Sequence, residues 1–185
     1  MGKIYDLAER EKWDLIIVDA PATGHGLSLL NAPRTMMELT RKGPMYNSNK
    51  QVADVLNNPL RCGIVLVTML EELPASETLS LWSQLGTENR QQVLGCVVNR
   101  PLVPPTTLEE YEKIRADTFV SEAHQSLASF AGLLLKTHQQ QQQIYDDLKR
   151  WMKTPIKTLP WLPHTPNQQW LESGEMVVSG LELSQ

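Results

Sequence analysis

A carboxylate, a hydroxyl and an imidazole fall within seven positions of one another in Asp19-Ala20-Pro21-Ala22-Thr23-Gly24-His25, directly after the apolar run Leu15-Ile16-Ile17-Val18. A carboxylate just past the C-terminal end of a buried parallel strand stands where open α/β sheets receive ligands. Holding it there costs less if it faces a hydrated cation. Ala20, Ala22 and Gly24 present little side chain, Pro21 fixes one backbone angle, and Thr23 supplies a hydroxyl and an amide. Backbone amides at such a turn can aim at an anion, and the following His-Gly-Leu-Ser-Leu-Leu can open a helix whose positive end adds to them. Plainer readings stand beside these, with Asp19 simply ending a strand and His25 a turn residue between glycines. No Ser or Cys nucleophile is arranged with His25, and "HGLS" lacks the G-x-S-x-G form. The histidines at 25, 124, 138 and 164 match no zinc spacing, so hydrolase or zinc chemistry around His25 is disfavoured.

The elements that must position these groups read as α/β. "LIIV" at 15–18, "CGIVLVTM" at 62–69 and "VLGCVVNR" at 93–100 are continuous apolar runs, as expected of strands covered on both faces by helices. Residues 4–12 form a short charged helix candidate in which the helical repeat places Leu7 near Ile4. A crossover helix is expected over "PASETLSLWSQLGTENRQQ", with Leu79, Leu81, Trp82 and Leu85 facing the core and Ser76 with Glu77 supporting its first turn. Residues 31–59 read as a small helical insertion, broken at Gly43-Pro44 and closed by Asn57-Asn58-Pro59, with few apolar residues to bury and hence mobile. Residues 106–152 form a long helical segment. From Val120 its apolar positions step through Ala123, Leu127, Phe130, Leu134, Ile144, Leu148 and Trp151, with polar breaks at Thr137 and Gln141. The five glutamines at 139–143 read as solvated helix surface. A short strand is expected at 156–161. The whole is expected to be one α/β domain over 1–185, with a parallel sheet flanked by helices.

Bulk properties narrow the partners. The formal charge of −4, with acids and bases intermixed, does not describe a surface built to neutralise nucleic acid. No run reaches the roughly 18 apolar residues of a membrane span, and the N-terminus has no apolar signal core, so a cytoplasmic protein is expected. Cys62 and Cys96 each lie beside an apolar run and read as buried thiols of a reducing compartment.

Taken as an ordered set, the motifs resemble the arsenical pump ATPases, the anion-transporting ATPase family that includes the targeting factor for tail-anchored membrane proteins. "DLIIVDAPATGHGLSLL" is similar to that family's second switch, and "VTMLEELPASETLSLWSQL" at 67–85 to its next strand, acidic loop and helix. "VVNR" at 97–100 is similar to the strand end whose asparagine recognises adenine, and "RTMMELTRKGP" to an insertion of bacterial members. The likeness covers roughly residues 3–104 well and the remainder loosely. It implies a P-loop nucleoside triphosphatase fold of the deviant Walker A class, with ATP and Mg²⁺ as cofactors. Asp19 would be the magnesium-side acid, and Thr23, Gly24 and His25 the nucleotide-sensing switch. Asn99 would face the adenine, since one amide both donates to and accepts from a purine edge, and the loop at Pro160 would close over the base. The plainer reading of Asn99 is a strand-ending residue in the turn before Arg100-Pro101.

Two departures qualify the likeness. Pro21 falls one place earlier than in the commoner family spelling of the switch. The family's first strand, its glycine-rich phosphate loop and its first switch have no counterpart here, and Met1-Gly2-Lys3 lacks the spacing to replace them. Without that loop the main electrostatic stabilisation of phosphoryl transfer is lacking, so this chain alone is expected not to turn over ATP at a normal rate, and no catalytic residue is assigned. Two functions follow as expectations. The chain is the switch-bearing, adenine-side part of such an ATPase, completed by a partner chain or a homodimer; or it is a degenerate interaction module that uses Met36, Met37, Met45 and the stripe from Val120 to Trp151.

Overall fold

The computed structural model describes residues 2–10, 12–21, 24–116 and 121–161. Seven helices and three strands are found among them: α1 (Gly2–Glu9), α2 (Gly24–Thr40), α3 (Pro44–Leu56), β1 (Ile64–Thr68), α4 (Glu72–Gln84), α5 (Thr87–Arg90), β2 (Val93–Asn99), α6 (Leu108–Ala116), α7 (Glu122–Met152) and β3 (Ile156–Leu159). The strands form one parallel sheet in the order β1-β2-β3, flanked by helices, which is the α/β architecture expected. The chain divides into two compact units, residues 1–65 with 77–94, and residues 66–76 with 95–185.

In the first unit α2 and α3 pack together. They are separated at Arg41 and Gly43, both of which adopt positive φ (57° and 103°), and Pro44 opens α3. Val52, Ala53, Val55 and Leu56 of α3 and Pro33 of α2 are buried, more apolar packing than the composition of 31–59 suggests. Asn58 Oδ1 accepts from the Leu60 N–H at 2.9 Å, so the Asn-Asn-Pro punctuation works as an Asx turn that ends α3. Gln92, 3% exposed, donates through Nε2 to the carbonyls of Leu56 (2.6 Å) and Cys62 (3.1 Å). The Leu56 carbonyl is one that α3 cannot satisfy itself, so a side chain 36 residues away completes the helix end. Arg90 serves α4 in the same way, donating to the Trp82 and Ser83 carbonyls at 3.1 and 3.2 Å while its guanidinium lies 5.1 Å from the Trp82 ring centre.

The second unit is built on β2, β3 and α7. Cys96, Val98 and Leu148 are fully buried, and Met152 and Leu135 are buried as well. α7 is one helix of 31 residues, N-capped by Ser121, whose side chain accepts from the His124 N–H. Lys153 ends it in the left-handed conformation, φ 50°, and β3 follows within three residues. Val120, the expected start of the apolar stripe, lies outside the described residues. α6 opens with a reciprocal cap: Glu110 Oε2 accepts from the Thr107 N–H at 2.9 Å, and Thr107 Oγ1 accepts from the Glu110 N–H at 3.2 Å.

Four expectations are corrected. Residues 15–18 form no strand: Leu15 and Ile17 are 75% and 85% exposed, because an apolar β-branched run becomes a strand only when a neighbour completes its ladder. β1 is not covered on both faces, since Leu66 and Thr68 are buried while Val65 and Val67 are exposed. α4 begins at Glu72, four residues before Ser76, and the Ser76 hydroxyl donates back to the Leu73 carbonyl within the helix. Not all of the glutamine run is solvated surface, since Gln141 is half-buried and hydrogen-bonded to a loop.

Candidate functional site

Asn99 is the last residue of β2, whose parallel register with β3 runs from Cys96 opposite Ile156 to Asn99 opposite Leu159. The backbone bonds Cys96 N–H to Pro155 O (2.8 Å) and Arg100 N–H to Leu159 O (2.7 Å) bracket this pairing. Pro160 follows Leu159 directly, so two of the expected site residues, Asn99 and Pro160, emerge side by side at the C-terminal end of one strand pair. That is the end at which parallel sheets receive ligands. Asn99 is half-buried and Pro160 exposed. Arg100 then takes a positive φ of 51°, turning the chain sharply into Pro101 and Leu102.

The loop after Asn99 is held from the side by α7. Gln141 Oε1 accepts from the Leu102 N–H at 2.8 Å, and His138 Nδ1 lies 3.0 Å from the Leu102 carbonyl. A carbonyl can only accept, so His138 donates from Nδ1, which fixes its tautomer when neutral. Both polar groups of one loop residue are thereby taken by one helix face. From the sequence His138 is considered only for zinc spacing, and Gln141 only as a polar break and part of the solvated glutamine run. That break, a polar residue on an otherwise apolar stripe, was the available signal.

The other expected residues belong to the first unit. Asp19 is exposed, in a segment without helix or strand, and its carboxylate has no hydrogen bond or ion pair among the described residues. Gly24 and His25 open α2, as the expected helix start requires, while Thr23 and the side chain of His25 lie outside what is described. The first turn of α2 passes close to the preceding segment. A Cβ added at Gly26 would stand 3.1 Å from the Pro21 carbonyl oxygen, so the approach of the turn to the helix favours glycine there. A cleft of about 300 Å³ lies elsewhere in this unit, between Asn31, Arg34, Asn57, Gln84 and Thr87, and includes none of the expected residues. Among the described residues no three His, Cys, Asp or Glu side chains gather as a metal site. Both cysteines are free; burial raises each thiol above its ordinary range, Cys96 to about 11.

Among characterised proteins, the ATPase BagA of Mycobacterium tuberculosis shares 30% identity over 139 residues, covering 69% of this chain and 40% of that protein. The chain is similar to ATPases. Mb3704 of Mycobacterium bovis, named provisionally as an ATPase, matches with the same identity and coverage. This chain thus spans 40% of the length of these relatives. No protein-family profile matches it. No helix among the described residues is long and apolar enough to cross a membrane.

Proposed function

We propose that this chain is the switch-bearing, base-side portion of an ATP-dependent switch protein of the anion-transporting ATPase type, acting in the cytoplasm. The observation that carries the reading is the paired end of β2 and β3, where Asn99 and Pro160 emerge together. The ATPase names of the relatives support it, as does the order of the quoted motifs. Asn99 offers an amide that can both donate to and accept from an adenine edge. Asp19, exposed and without a hydrogen bond or ion pair among the described residues, offers carboxylate oxygens to a hydrated Mg²⁺, and one carboxylate acting through water fits that ion, which keeps most of its waters in phosphate sites. Bound there, Mg²⁺ would neutralise charge on the nucleotide phosphates. The N-terminal amides of α2, opened by Gly24 and His25, would face the same anion, with Thr23 beside them. The phosphate-cradling loop and its lysine would come from other sequence, in the same protein or in a partner subunit. Leu15, Ile17, Val65 and Val67, apolar and exposed, are consistent with completion by such a partner.

Titration calorimetry with ADP and Mg²⁺ tests the reading. Binding to the chain is expected, with affinity weakened about tenfold in Asn99→Ala, as for loss of one or two base-edge hydrogen bonds. Phosphate release from ATP by the chain alone is expected to stay at background. Absence of ADP binding would remove the nucleotide reading in favour of a second one, a protein-interaction module. That alternative has its own observation, since Leu127, Phe130 and Leu133 of α7 and Met36 and Met45 are exposed.

A further inference from the structure

The stripe of α7 is interrupted by a glutamine where its spacing calls for an apolar residue, and the structure gives that glutamine a task. Gln141 is half-buried, with its carbonyl oxygen spent on the Leu102 N–H at 2.8 Å. One turn earlier on the same face, His138 spends its Nδ1–H on the Leu102 carbonyl at 3.0 Å. Gln142 stands beside the far side of the imidazole, its Nε2 3.5 Å from His138 Nε2. Leu102 lies three residues after Asn99, and the intervening Arg100 sits at positive φ before a proline. The segment from Asn99 to Leu102 is therefore fixed at both ends, by the β3 ladder through the Arg100 N–H and by α7 through Leu102. A four-residue turn held in this way has little freedom left, and Asn99 is its first member.

We infer that Gln141 and His138 are positioning residues for the Asn99 turn, so that α7 sets how that turn receives a purine base. The inference rests on the nucleotide reading for its ligand and on the two Leu102 bonds for its mechanism. It assigns α7 a part in ligand binding without contact with the ligand: a shift of the helix along its axis would pull on Leu102 and alter the presentation of the Asn99 amide.

The test compares Gln141→Leu, which keeps size and removes the acceptor, with Gln141→Glu, which keeps an oxygen for the Leu102 N–H. Hydrogen exchange of the Leu102 amide is measured first, without nucleotide. It is expected to be slow in the parent, about tenfold or more faster in Gln141→Leu, and slow again in Gln141→Glu. Circular dichroism checks that α7 remains helical. Calorimetry with Mg-ADP and Mg-GDP follows, and Gln141→Leu is expected to lose roughly tenfold in ADP affinity and most of its preference for ADP, both restored in Gln141→Glu. Leu102 exchange unchanged in Gln141→Leu would overturn the clamp, whatever the nucleotide result. Faster exchange with unaltered affinity and base preference would overturn the positioning role. A parent protein that binds neither nucleotide would overturn the purine assignment together with the nucleotide reading, while the exchange result would still decide the clamp.

Discussion

Gln92→Met isolates the contribution of a single buried amide to the first unit. Methionine has nearly the same length and fills the same space, so the substitution removes the polar group and little packing. Two carbonyls then lose their donor: that of Leu56, which lies at the buried end of α3, and that of Cys62, which is half-buried. An unsatisfied buried acceptor costs about 1–3 kcal/mol, and water can still reach the Cys62 side, so a loss of about 2–3 kcal/mol is expected. With a urea slope of about 2 kcal/mol per molar, the midpoint should fall by about 1–1.5 M with the slope unchanged. Gln92→Glu should be worse near neutral pH, because it turns a charged acceptor towards two acceptors, and should recover on acidification as the carboxyl becomes a donor. A midpoint for Gln92→Met within about 0.25 M of the parent, by urea titration followed at 222 nm, would refute the argument that Gln92 completes the end of α3.

Cys96 is expected to resist iodoacetamide at pH 8 in the folded protein while Cys62 reacts first; mass spectrometry before and after unfolding checks the order. Its thiol is pushed up to about 11 by burial, above the ordinary 9.0, so the folded state holds that proton more tightly than the unfolded one. The associated stability is full below about pH 9 and is lost as pH rises towards about 11, which urea midpoints across that range would follow. The Glu110 carboxyl is held below its ordinary 4.5, first by the Thr107 N–H and then by the Thr106 and Thr107 hydroxyls. The first turn of α6 should therefore be intact above that value and fray as pH falls below it, with Glu110→Ala showing the same faster Thr107 amide exchange at neutral pH.

Elements whose stability comes from their own pattern could be read from the sequence. The helical repeat from Leu127 to Trp151 announces α7 even though Leu127, Phe130 and Trp151 themselves stay exposed, and the apolar runs around Leu66 and Val97 announce β1 and β2, because burying such runs is the dominant favourable term. Gly43-Pro44 and Asn58-Pro59 mark the ends of α2 and α3 for equally local reasons. Residues 15–18 misled because β propensity says what suits a ladder, not whether a neighbouring strand is there to form one. The site divides in the same way. Asn99 and Pro160 could be expected at strand ends, since strands carry their direction with them. The partners of Gln92 lie 36 and 30 residues away and that of Gln141 39, and all are backbone groups, which every residue possesses, so no side-chain pattern advertises them.

Pro155 and Pro160 stand immediately before and after β3, and neither has an N–H to offer a neighbour. Among the described residues β3 is one margin of the sheet, and the two prolines confine it to four residues and make it a poor template for further pairing. β1 carries no proline in its five residues and forms the opposite margin. Among the described residues an added strand therefore meets less obstruction beside β1 than beside β3, and a peptide designed to extend the sheet should be a partner for β1.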